Sequence, residues 1–420
     1  MTKCNGSQLA FDGGNPIRTN PFPPRHLMGQ EEKTAVMKLF DDAIASGNAF
    51  GYNGPSEVQY EKDFVDFMGG GFADGVNSGT NAVFVALGAL QMDAFSEVII
   101  PPITDPGGSM PVIMVGCVPV VADADPRTFN TSAEQIKPLI TERTRAILVA
   151  HITGDTVDMD PILDLAQKHN LYVIEDCAQA HGAKYKGKLV GSLGDIAAFS
   201  TMFGKHHCTG GQGGVVYTKN EKLFWQAKRF ADRGKPFNIP DARGNVTAGL
   251  NCNLNDLSAV IGSAQIKKLP RIIANRRTVG EAIKAGLKDC KAVSVGWQVP
   301  DSESVYWFMK FRLHTEMLTV DKANFCKALR AEMPTMELIE EYRHIPCEAP
   351  WFQNKATFGK SGFPWNCSDY KGPKNPQFKI TNAIQVNKDH FNIGINESYG
   401  RQEIADILAA IKKVEKAYLK

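Results

Sequence analysis

The sequence predicts an α/β fold, a mostly parallel central sheet followed by a smaller α+β domain, and three observations carry that reading. Short apolar runs alternate with helical patterns between residues 78 and 218. Those runs are continuously apolar, as strands covered on both faces are. Beyond Leu269 the alternation gives way to a long helical pattern and a different strand texture. With 420 residues, 43% of them hydrophobic, the chain can bury a large core and suggests two or three domain-sized units.

Taken in order, residues 1–29 read as an N-terminal arm rich in Gly, Asn and Pro. Residues 30–269 read as the large α/β domain. Its first helix is expected over 30–46, and helices over 78–90, 107–115, 132–139 and 159–168 interleave with strands over 98–100, 118–121, 146–150 and 171–174. The runs 196–200 and 214–218 supply the last strands of that sheet. Residues 270–420 read as the small α+β domain, with helices over 271–287, 322–332 and 401–418 and strands over 292–295 and 305–313. The aromatic, Gly- and Pro-containing stretch 348–376 lacks periodicity and reads as an ordered loop.

Composition narrows the function classes. A net charge of +2 without a basic tract gives no nucleic-acid signal. Met1 to Gly6 lacks the apolar core of a signal peptide, and no apolar run is long enough to cross a bilayer, so a cytoplasmic protein without a membrane partner is expected. Nine cysteines, an odd number with no Cys-x-x-Cys pair, read as reduced thiols. His206, His207 and Cys208 are consecutive, so on an extended segment their side chains alternate in direction and do not converge on one ion; no metal is expected.

Three patterns carry chemistry. Lys205 follows Phe199-Ser200-Thr201-Met202-Phe203-Gly204 and runs into Gly210-Gly211-Gln212-Gly213-Gly214. A lysine among small and apolar residues is readily kept neutral, and a neutral amine attacks an aldehyde; read alone, a lysine beside glycines is more often a surface charge near a turn. The strand over 171–174 delivers Glu175-Asp176 at its carboxyl end, where ligands gather in open α/β sheets. Asp176 is a candidate partner for a cationic ring nitrogen, or a cap of the following turn. Ser78-Gly79-Thr80 opens a helix and offers amides and hydroxyls to a phosphate, or serves only as an N-cap. In combination they supply a phosphate anchor, a pyridinium partner and an aldehyde-bearing lysine, the fixtures of a pyridoxal 5'-phosphate site.

With Gly51-Tyr52-Asn53-Gly54-Pro55, Asn77 to Ala82, His151 with Asp158-Met159-Asp160, Glu175 to Gly182, Phe199 to Gly214 and Gly249-Leu250-Asn251, the chain resembles the DegT/DnrJ/EryC1/StrS aminotransferases from about Leu9 to the C-terminus. The resemblance implies the aspartate aminotransferase fold (fold type I) and transfer of an amino group from glutamate or glutamine to a keto-sugar or keto-cyclitol. It implies Lys205 as the Schiff-base lysine and catalytic base, Asp176 as the ring-nitrogen partner and Gln179 near the ring hydroxyl. Ser78, Gly79, Thr80 and Ser200 become phosphate contacts, with Asn251 reaching across from the second subunit of a homodimer. His151 and His181 match family positions but read as structural residues. The opening stretch Leu9 to Arg18 resembles cyclitol and aminobenzoate-type members, which favours a substrate without a nucleotide.

The chain departs from the family pattern in three places. One extra residue before Gly213-Gly214 makes His206 an alternative to Lys205 in the lysine register, and related dehydratases carry His there; Ser200 anchors the register on Lys205. Asp105 stands where an aromatic stacks on the cofactor ring, and could bind a substrate group or cap the next helix. Asn253 replaces the arginine of Gly-x-Asn-x-Arg. A keto-sugar dehydratase and a catalytically silent cofactor-binding regulator are the competing functions, and retention of Asp176, Ser200 and Lys205 together argues against the silent one.

Overall fold

The computed structural model describes residues 8–420; the Met1 to Gly6 stretch read for a signal peptide lies outside them. The N-terminal half of the chain forms α1 (Gln30–Ser46), α2 (Pro55–Met68), β1 (Phe72–Val76), α3 (Gly79–Ala89), β2 (Glu97–Ile100), α4 (Met110–Met114), β3 (Val118–Val121), α5 (Ala133–Ile136), β4 (Thr144–Ala150), α6 (Met159–His169) and β5 (Tyr172–Asp176). There follow β6 (Lys184–Tyr185), β7 (Lys188–Leu189), β8 (Ile196–Ser200), β9 (Gly214–Thr218), α7 (Glu221–Ala231) and α8 (Asp256–Gly286). The chain ends with β10 (Val293–Val295), β11 (Ser302–Glu303), β12 (Met309–Leu313), α9 (Lys322–Glu332), β13 (Leu338–Ile339), α10 (Pro350–Gln353), α11 (Thr381–Asp389), β14 (His390–Ile393) and α12 (Arg401–Tyr418).

The central sheet has the order β1-β9-β8-β5-β4-β2-β3. Strands β8, β5, β4, β2 and β3 are parallel. Strand β9 runs against both β8 and β1. Every residue of β2, β8 and β9 is buried, which explains why these strands read as continuous apolar runs. In register, Ala150 of β4 faces Asp176 of β5, and Asp176 faces Ala198 of β8. The carboxyl ends of these strands therefore meet at one edge, and the β8–β9 connection, which carries Lys205, leaves from there.

The second sheet, β10-β12-β14-β13, packs with α9 and α12 around Phe311, Phe325, Phe391 and Ile411. The arm docks on this body. Leu9, Ile17 and Phe22 pack against its core, the amides of Ala10 and Ile17 donate to Glu332, and Arg18 pairs with Glu403 and Asp406.

Several elements differ from expectation. The helix expected over 271–287 is the second half of one 31-residue helix, α8, which starts at Asp256 and runs through Pro270 and through the expected domain boundary at 269/270. Pro270 is exposed while its neighbours Leu269, Ile272 and Ile273 are buried, so packing carries the helix past a residue that breaks isolated ones. The helix expected over 107–115 shrinks to a 3-10 turn, Pro106–Gly108, followed by α4, and that over 132–139 to α5 with a 3-10 extension. The strand expected over 305–313 begins only at Met309, because residues 305–308 turn toward the large sheet, with Tyr306 at φ 47°. Elements α2, β1, β6, β7, α7, β11, β13, α10, α11 and β14 were not expected, and α10 falls within the stretch read as a loop. The eight described cysteines are all free thiols.

Candidate active site

At the meeting edge of β4, β5 and β8 lies a cavity of about 260 Å³, closed by the start of α3 and the Thr104–Gly108 turn. Ser78, Gly79, Thr80, Asp176, Gln179, Ser200 and Lys205, dispersed along the sequence, all line it. Asn251 does not line the cavity of its own chain. It is exposed, bridges to Asp232, and accepts a hydrogen bond from Asn253 Nδ2 at 2.7 Å.

Ser78 starts α3 because its extended backbone lets Oγ accept from the Asn81 amide at 3.1 Å. The Gly79 and Thr80 amides precede the first helical hydrogen bond and have no acceptor among the described residues, so they face the cavity with the positive end of the helix dipole. Contact is close here. A Cβ on Gly79 would lie 2.5 Å from Ser200 Cβ, and one on Gly107 would lie 2.5 Å from Thr80 Oγ1.

Asp176 accepts one hydrogen bond, from the Ala178 amide at 3.0 Å, and has no ion pair among the described residues. Burial pushes its carboxyl up, Asp105 adds to the rise, and the Ala178 amide and Lys205 oppose it. Gly108 permits the turn to close over this carboxylate, since a Cβ there would lie 2.9 Å from Asp176 Oδ2 and 2.4 Å from Thr104 Oγ1. Burial pulls the Lys205 ammonium below its ordinary value, against the attraction of Asp176 and Asp105. Among the described residues Lys205 Nζ has no hydrogen-bond or ion-pair partner; it lies over the Trp307 ring, 4.5 Å from the centroid. The neighbouring His206 is fully buried and directs Nε2 to Val305 O at 3.3 Å, away from the cavity lined by Lys205.

Gln179 is committed to the protein. Its Oε1 accepts from the Thr153 amide at 2.8 Å and its Nε2 donates to Tyr342 Oη at 2.8 Å. Thr153 adopts φ 64°, a left-handed conformation held by that contact and by its own carbonyl accepting from the Trp307 amide at 2.9 Å. His151 Nδ1 accepts from the Val157 amide at 3.0 Å, which leaves Nε2 to donate to Glu175 at 3.1 Å. Burial alone would raise Glu175, but His151 and the amides of Gly191 and Gly194 hold it below the ordinary carboxylate value. His181 is bonded to His207, which bonds Tyr60, all of them buried. Asp105 lines the cavity and caps the following 3-10 turn, its Oδ1 accepting from the Gly107 amide at 2.9 Å.

Sequence reasoning missed Trp307, Tyr342 and Arg25. Trp307 lay in a run read as a strand. Tyr342 comes from a segment without periodicity. Arg25 of the arm donates to the carbonyls of Gly204, Lys205 and His206 at 2.5, 2.8 and 3.3 Å, which braces the lysine loop from behind. Only composition could have flagged any of these.

The donor set fits pyridoxal 5'-phosphate. A buried carboxylate without a cation suits a protonated ring nitrogen, a desolvated amine suits an aldehyde, and free helix-start amides suit a phosphate.

Comparisons with known proteins agree with that chemistry. The family model described as the DegT/DnrJ/EryC1/StrS aminotransferase family matches residues 30–364. The GDP-perosamine synthase of Caulobacter vibrioides is 41% identical over 301 residues, covering 69% of this chain and 79% of that protein. The L-glutamine:2-deoxy-scyllo-inosose aminotransferase of Streptomyces lividus is 31% identical over 342 residues, 77% of this chain and 79% of that one. Among solved structures, an aminotransferase from Psychrobacter cryohalolentis superposes with a TM-score of 0.81 at 28% identity, over 94% of this chain and 99% of that chain.

Proposed function

The chain belongs to the DegT/DnrJ/EryC1/StrS family of pyridoxal 5'-phosphate-dependent aminotransferases, and from that premise we propose that it moves an amino group from glutamate or glutamine to a keto-sugar or keto-cyclitol, with Lys205 as the catalytic amine. The observation that carries the assignment is the pairing of a desolvated lysine with a cation-free buried aspartate in one cavity. When bound, the cofactor supplies an aldehyde that links to amines and a cationic ring that draws electrons from the substrate carbon.

The residues then divide the work. Asp176 holds the ring nitrogen in its protonated form, because a desolvated carboxylate gains most from an adjacent cation. The Gly79 and Thr80 amides, with the Ser78 and Ser200 hydroxyls, bind the phosphate and fix the cofactor's position. Gln179, oriented by Thr153 and Tyr342, guards the ring hydroxyl side. Lys205 Nζ takes the proton from the substrate carbon and returns it at the carbon that ends with the amine. Asn251 completes the phosphate site of a partner subunit, so the working unit is a cytoplasmic homodimer with shared active sites. No helix of the described residues is long and apolar enough to cross a membrane.

Purified protein with pyridoxal phosphate should show an absorbance band that shifts when glutamate or glutamine is added, and labelled glutamine should pass its nitrogen to a keto-sugar or an inosose. Lys205→Ala should abolish both the shift and the borohydride-reducible link. A reducible link that survives in Lys205→Ala overturns the lysine assignment, and a native band that no amine donor shifts overturns the aminotransferase reading. Mixed dimers of Lys205→Ala and Asn251→Ala chains should regain one functional site if the sites are shared.

A further inference from the structure

Among the described residues Lys205 Nζ has no hydrogen-bond or ion-pair partner, and its directed contact is the face of Trp307, 4.5 Å from the ring centroid. A buried ammonium gains more from an indole face than an exposed one does, because no water competes for it. The ring is fixed from several sides. Its backbone amide donates to Thr153 O at 2.9 Å, the His206 ring lies 5.3 Å away and the Phe308 ring 5.7 Å away. Thr153 in turn donates its amide to Gln179, which lines the cavity.

We propose that Trp307 is a positioning residue that holds the Lys205 ammonium on its ring face whenever the lysine is not bonded to the cofactor. This rests on the assignment of Lys205 as the amine that moves the proton. In that step a C–H bond of the substrate breaks, an N–H bond forms at Lys205 Nζ, and the bonding electron pair stays with the substrate. The new ammonium then needs a partner close at hand. A carboxylate in direct contact would raise the ammonium's pKa and slow return of the proton; an aromatic face stabilises the charge less. The charged and titratable groups around this amine are Asp176 from β5, Asp105 from the turn before α4, His181 after β5, and the adjacent His206. Both histidines are held well below their ordinary pKa by burial, so the carboxylates supply the field and Trp307 the contact.

The test compares Trp307→Phe and Trp307→Leu with the native chain by two measurements. In cofactor-free protein, the pH dependence of Lys205 acylation by a trace labelling reagent, read by mass spectrometry, reports the proton affinity of the amine. In holoenzyme, single-turnover reaction with the amine donor across pH reports the base. Trp307→Leu should lower the proton affinity about tenfold, moving the labelling curve and the acid limb of the single-turnover profile together to lower pH, with Trp307→Phe in between. A labelling curve unmoved in both variants overturns the proposal, as does a Phe variant displaced as far as the Leu variant. Should Trp307→Leu fail to fold, the Phe variant decides alone, since an unmoved curve there overturns the proposal. Failure of the aminotransferase reading would appear instead as an unresponsive native holoenzyme, while the labelling curves still report on Trp307.

Discussion

Two carboxylates act on Lys205, and they differ in kind. Asp176 is buried and cation-free, whereas Asp105 is exposed and spends one oxygen on the Gly107 amide. The charge of Asp105 raises both Asp176 and Lys205. Asp105→Asn keeps an acceptor for Gly107 and removes only the charge. The expected outcome is a Lys205 acylation curve displaced to lower pH in cofactor-free protein, with the cofactor retained at least as firmly, because a more fully ionised Asp176 holds a cationic ring better. Unchanged curves would mean that solvent screens Asp105 completely. The expected aromatic is thus absent from position 105, and the aromatic nearest the lysine amine is Trp307, which contacts Nζ.

The cofactor site depends most on α3, buried from Ala82 to Leu87 and closed by Ser78. Ser78→Ala should cost about 1 kcal/mol by loss of the cap, seen as a lower denaturation midpoint in cofactor-free protein, and should weaken cofactor retention further through the missing hydroxyl. A retained midpoint would show that packing alone holds the first turn. This helix was legible because Ser-Gly-Thr ahead of an apolar run is a local signal. Helix α7 was equally available, with Leu223, Ala227 and Ala231 buried four residues apart, but its polar composition hid it. Helix α8 was misread because Pro270 is a strong local stop signal, and only the packing of Leu269, Ile272 and Ile273 overrides it.

Over the whole molecule, the arm and the C-terminal body converge on the lysine loop. Arg25 binds the carbonyls of residues 204–206 and also Glu397, which pairs with the buried Arg276 at 2.9 Å. Arg25→Ala should leave the circular dichroism spectrum native and slow the donor half-reaction by roughly tenfold, since a loosened loop misplaces the amine; an unchanged rate would show that the loop holds its place without Arg25. A second long-range feature is the acid cluster of α2 and β1. Glu57 is raised to about 7, first by burial and then by neighbouring carboxylates, and its Oε1 has no hydrogen-bond partner among the described residues. Its folded value lies above the ordinary 4.5, so the folded chain keeps a proton that the unfolded chain releases. The contribution of Glu57 to stability is therefore full below about pH 4.5 and is lost as pH rises to about 7. Glu57→Gln should flatten that fall, giving a larger gain in melting temperature at pH 8 than at pH 5; equal gains at both would refute the linkage.

The sequence by itself determined the parallel sheet, the strand-end Asp176, the Ser78 to Thr80 helix start and Lys205 ahead of the glycines. Each of these is written in neighbouring residues: apolar runs, a cap, a lysine in a small-residue loop. Tertiary structure alone decided what surrounds that lysine. Trp307, Tyr342 and Arg25 come from a turn, an irregular segment and the arm, and they reach Lys205, Gln179 and the lysine loop only through contacts between distant parts of the chain. A contact between residues far apart in the chain leaves no periodicity or spacing to read. Its energy comes from burial that exists only once the fold is complete.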